Sequence, residues 1–140
     1  MRTDGVFAPE TEAEAREAFE SVGPAAQVVV RETAKAMAFD REEYRDRVTG
    51  EVVETARDAL FASFLEVHVG DREAFDDWRE DHPEYDVHVN GSENVDRVVW
   101  HAAPFSQQAV AATFQDEEDA AIGTLRRQAF GRIYADLLKE

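Results

Sequence analysis

The stretch "YDVHVNGSENVDRVVWHAAPFSQQAVAATFQ", residues 85–115, decides the fold class, because within it the apolar period changes to two. Tyr85, Val87 and Val89 alternate with Asp86, His88 and Asn90, the pattern of a half-buried strand. "NGSEN" (90–94) is turn chemistry. "VDRVVWHA" (95–102) and "AVAATFQ" (109–115) read as two more strands around a loop at Pro104. Links this short permit hairpins but not crossovers, so the expectation is an antiparallel meander. "VHV" at 67–69 offers a short fourth strand.

Outward from this stretch the period is helical. Downstream, "IGTLRRQAFGRIYADLL" (122–138) lines Ile122, Leu125, Ala129, Phe130, Ile133, Tyr134 and Leu137 along one face. Asp116 is the expected cap, with Glu117, Glu118 and Asp119 at the positive end of the helix and Lys139 near its negative end. Upstream, Thr11 and Glu14 have capping-box spacing, and Gly23 then Pro24 mark the change to a second helix. That helix carries an apolar stripe of Ala26, Val29, Val30, Thr33, Ala36 and Met37 to about residue 39. Asp40 and Asp71 cap short helices, and a helix from about Thr49 becomes apolar nearly all round, which predicts a central position. Residues 1–9 read as a short strand or arm. The expected fold is α+β in a single domain over residues 1–140. It has a helical N-terminal half, then a small antiparallel β-meander of three to four strands covered by a long C-terminal helix.

Composition bounds the chemistry. The chain has 140 residues, 44% hydrophobic and 10% aromatic, which argues for a packed core despite a net charge of −16. It has no cysteine, hence no disulfide framework, thiolate metal site or thiol nucleophile. No apolar run approaches the ~20 residues of a membrane span, and "MRTDGVFAPE" lacks the apolar core of a secretory signal. The 31 acids against 15 bases are spread over both halves, and Lys35 and Lys139 are the only lysines. Such a surface suits molar salt, where screening suppresses self-repulsion. The expectation is a cytoplasmic, salt-adapted protein.

No sequence motif dictates a reaction. "Gly-x-Ser-x-Gly", Walker A and the dinucleotide fingerprint are all absent, so no cofactor is expected. His68, His88 and His101 are the candidate metal set, but they lack a local ligand pair, and His68 and His88 fall opposite the valines, on an expected solvent face; no metal site is expected. Arg126, Arg127, Arg132 and Lys139 make the last helix locally basic, too little to hold phosphates against −16 and molar salt, so nucleic acid is excluded as a partner.

The informative residue is Arg126. At roughly 100° per residue it falls inside the apolar arc of the last helix, and a buried charge must be paired. Asp96 shares a strand face with Val98 and Trp100, so an Asp96–Arg126 pair across the sheet–helix interface is the structural expectation. The functional alternative is a pocket between sheet and helix where Arg126 meets an anionic ligand, with Asp96, His101 and Arg97 nearby.

"GVFAPETEAEARE", "VGPAAQVVVRE", "TARDALFASFLEV", "GSENVDRVVWHAAP" and "LRRQAFGRIY" together resemble a family of small uncharacterised proteins from halophilic archaea, a domain of unknown function. The resemblance spans about residues 5 to 137 and implies a cytosolic protein of a salt-in organism. It carries over no site residues. The leading functional expectation is a non-catalytic protein-interaction module that meets an unknown protein or itself and binds no membrane. The alternative is a small-ligand-binding protein or enzyme built on the Arg126 pocket.

Overall fold

A computed structural model describes residues 1–139; Glu140 lies outside the described residues. Strand β1 (Arg2–Asp4) precedes four helices: α1 (Glu12–Ser21), α2 (Gly23–Ala36), α3 (Arg41–Arg47) and α4 (Gly50–Ser63). Next come β2 (Val67–Asp71), α5 (Arg72–Asp81), β3 (Asp86–Asn90), β4 (Arg97–Ala103) and β5 (Gln108–Phe114). The chain ends in α6 (Glu118–Ala129), a π-turn over Phe130–Tyr134 and α7 (Ala135–Leu138).

Local chemistry sets most of these boundaries. Thr11 and Asp40 close full capping boxes with Glu14 and Glu43, and Thr49 and Asp71 accept from the backbone N–H of Val52 and Ala74. Asp116 does not cap the last helix as expected. The N-cap position is Glu117, without a side-chain bond, and Glu118 in the first turn is drawn to Arg2 and Arg97.

The strands form one mixed sheet in the order β1-β2-β4-β5-β3. The expected meander is therefore only partly present. β4 and β5 are an antiparallel hairpin, but β3 pairs parallel with β5 at the sheet edge. Residues 91–96 are long enough to cross over the end of β5 to β4. Gly91 (φ +123°) opens that crossing, and Ser92 donates its N–H to Thr113 Oγ1 at 3.2 Å.

A second difference concerns the faces. Val98 and Trp100 pack with Phe75 of α5 and Ala111, while Val99, Ala103, Val110 and Phe114 pack with α1, α4 and α6. The sheet is thus covered on both sides, and α5 occupies the face expected to meet water. His68 accordingly stacks on Trp100, ring centroids 5.4 Å apart, and burial pushes its pKa down.

Candidate functional site

Strict alternation along β4 puts His101 on the face opposite Trp100, towards the last helix. His101 is fully enclosed. Its Nδ1 lies 2.6 Å from the Glu66 carbonyl, and its Nε2 lies 2.7 Å from the Tyr134 hydroxyl. A carbonyl can only accept, so the ring proton sits on Nδ1, and Tyr134 donates its O–H to Nε2. Both ring nitrogens are satisfied with the imidazole neutral. Desolvation pulls its pKa down to about 4, and the same burial raises that of Tyr134.

The π-turn brings Tyr134 to this place. The Ala135 N–H bonds back to the Phe130 carbonyl, adding one residue to a helical turn. Ile133 and Tyr134 are then both buried, and Tyr134 meets Phe61 edge-on at 5.3 Å. About two turns before Tyr134, Arg126 reaches past α4. Its Nε donates to the Leu65 carbonyl at 2.9 Å and its Nη2 to the Asp4 carbonyl at 3.1 Å, with the Asp4 carboxylate 3.8 Å away. Arg126 therefore holds two chain segments together. The first residues of the arm are laid on the link from α4 to β2, where Val6 and Phe7 both donate to Phe64 O at 2.8 Å. Gly5 permits that approach, since a Cβ there would lie 2.5 Å from Leu65 O.

The expected Asp96–Arg126 pair is not formed. Asp96 has the parity of Val98 and Trp100, which is the α5 face, while α6 lies on the His101 face. Asp96 is exposed at the start of β4, beside Arg97. Arg97 donates to Glu118 at 3.0 Å and stacks on Phe114, away from Arg126. The structure thus brings His101 near Arg126 through the paired segment Leu65–Glu66, and leaves Asp96 and Arg97 at the other end of the sheet. Tyr134 and Glu66 are the partners that sequence reasoning missed for this site. Open space beside Arg126 lies between α4 and α6, not between sheet and helix. It is a groove of about 430 Å³ that also meets Arg127, Ala59, Ala62 and Phe130.

With the geometry in place, comparison with known proteins is informative on descent alone. Residues 6–135 match a family of unknown function, DUF5809. The chain belongs to that family. No curated protein and no solved structure matches it. Function within the family has therefore to be argued from the residues.

On that footing the enclosed His101–Tyr134 pair has the properties of a structural centre. Its hydrogen-bonding capacity is consumed internally, and the neutral imidazole is held far below the range of a base working near neutral pH. A different feature faces outward. Of the six-residue stripe on α2, only Ala26 and Val30 are covered; with Ala34 they form the buried edge of the helix. Val29, Thr33, Ala36 and Met37 stay exposed in helical phase, Val29 at 46% and Met37 at 59%. Val28 and Val52 are exposed large hydrophobics of the same α2–α4 segment.

Proposed function

We propose that this protein is a non-catalytic interaction module that associates with a second copy of itself through the exposed stripe of α2. The observation that carries the reading is Val29, Thr33, Ala36 and Met37, an apolar row in helical phase without cover from the fold. Charge selects the occupant. A chain at −16 repels its copies at most approaches. α1 carries four glutamates against Arg16, and α5 carries five acids against two arginines. α2 carries Arg31 and Lys35 against Glu32, so a contact there sets no surplus of carboxylates against carboxylates, and α2 is the helix that also presents an uncovered apolar row. An isologous α2–α2 contact sets apolar row against apolar row.

The surroundings that fit this reading are a salt-rich cytoplasm, where screening removes the remaining repulsion between acidic copies. No helix among the described residues is long and apolar enough to cross a membrane. Nucleic acid is a poor partner. Of the four basic residues from Arg126 to Lys139, Arg126 is held by carbonyls, Arg132 by His88, and Lys139 by Asp58 and Glu54, which leaves only Arg127, bonded among the described residues to Thr124 Oγ1, and that is too little to hold a phosphate backbone against the −16 of the chain.

Sedimentation equilibrium in molar KCl tests the reading. The wild type is expected to shift from monomer to dimer with concentration. Val29→Glu and Met37→Glu are expected to remain monomeric with unchanged circular dichroism. A wild type that stays monomeric throughout, or a dimer indifferent to both substitutions, would overturn it.

A further inference from the structure

We propose that the groove between α4 and α6 binds a small aliphatic carboxylate. The two helices run antiparallel. Arg126 bonds the Leu65 carbonyl just past the end of α4, while Lys139, beyond α7, bonds Asp58 at 2.8 Å and Glu54 at 3.1 Å nearer its start. The groove therefore has a cationic end at Arg126 and Arg127 and a run along Ala59, Ala62 and Phe130, and it is also lined by Asp58, whose carboxylate is paired with Lys139. Its volume of about 430 Å³ is that of a small-molecule site.

Charge identifies the head group. Arg127 folds back along its own helix so that Nη1 lies 3.7 Å from where a Cβ on Gly123 would stand, and Nη2 reaches only Thr124 Oγ1 at 3.3 Å. Among the described residues no carboxylate pairs with Arg127, although acids outnumber bases two to one along the chain. An unpaired guanidinium presents a planar fork that fits a carboxylate with two parallel hydrogen bonds. Arg126, held rigid by two carbonyls, adds positive potential beside it. The alanines and Phe130 accept an unbranched chain, and Asp58 beside them, already held by Lys139, disfavours a second anionic group there. The absent side chain at Gly123 keeps the cationic end open.

Titration of the ¹⁵N-labelled protein with hexanoate in KCl tests this, with acetate and hexylammonium as controls. Hexanoate is expected to give saturable shifts at Ala59, Ala62, Phe130 and the Arg127 side chain. Acetate, lacking the chain, should bind at least tenfold more weakly, and hexylammonium should leave these signals unmoved. Arg127→Gln should weaken hexanoate at least tenfold. Gly123→Leu should abolish binding while the protein stays folded, because a Cβ there meets nothing closer than the Arg127 guanidinium and leucine favours a helix over glycine. Val29→Glu should leave hexanoate binding unchanged, so a failure of the α2 contact and a failure of the groove are read separately. Absence of saturable shifts, shifts mapping to another surface, equal binding of hexylammonium, or indifference to Arg127→Gln would each overturn the proposal.

Discussion

Acidification offers a quantitative test of the buried histidine. His101 is neutral in the fold because burial pulls its pKa down from 6.5 to about 4. The unfolded chain takes up a proton as pH falls through 6.5, and the folded protein does so only near pH 4. Between these values the unfolded state binds more protons, so folding stability drops as pH drops. At about 1.4 kcal/mol per pH unit, the loss across the window reaches about 3 kcal/mol. His101→Gln isolates this contribution. A glutamine can donate to the Glu66 carbonyl and accept from Tyr134, yet it does not titrate. Urea unfolding of both proteins from neutral pH to about pH 4.5 should show the wild type losing roughly 2–3 kcal/mol relative to His101→Gln. Carboxylate titration and the lowered pKa of His68 contribute to both curves and cancel in the difference. Tyr134→Phe is the companion variant. It strands Nε2 as a buried acceptor and should cost about 1–3 kcal/mol at neutral pH. Parallel pH profiles for wild type and His101→Gln would refute the assignment of a neutral, enclosed imidazole.

Two other outcomes follow from the same packing. Arg126→Leu leaves the Leu65 and Asp4 carbonyls without their donor and should destabilise by about 2–4 kcal/mol in urea unfolding, whereas Asp96→Ala should change stability by no more than about 0.5 kcal/mol, and the double variant should be additive because the residues do not touch. Raising KCl from dilute buffer to molar concentration should raise the thermal midpoint, because screening relieves repulsion among the excess acids; an unchanged midpoint would contradict a salt-adapted surface.

Much of this fold was legible wherever the signal is local. Thr11, Asp40, Thr49 and Asp71 each cap the helix that their spacing announced, because a cap is a contact within three residues. The period-two runs after Pro83 became strands because alternation is itself a local signal, although the pairing it leads to is not. What alternation cannot supply is which face meets which layer. Trp100 and His101 are neighbours in sequence and face opposite sides, so assigning the last helix to the Trp100 face misplaced Asp96 as the partner of Arg126. Arg126 lies inside the apolar arc, as its helical phase requires, but its principal partners are backbone carbonyls, which every residue possesses and no pattern reveals. From the sequence, Tyr134 is only one more residue of the apolar face. Its hydroxyl finds His101 through a π-turn for which the run "FGRIY" carries no recognised signal. The stripe on α2 is legible as a stripe, but its width exceeds what α4 and the core cover, and that excess shows only once the neighbours are placed.

The central claim, that α2 is the contact surface between copies, is tested most directly by hydrogen–deuterium exchange in molar KCl at two protein concentrations, one below and one above the association midpoint. The α2 amides should exchange more slowly at the higher concentration, centred on residues 28–37, with the sheet and the last helix unchanged. Identical exchange at both concentrations, or protection centred on another element such as the β3 edge, would contradict it.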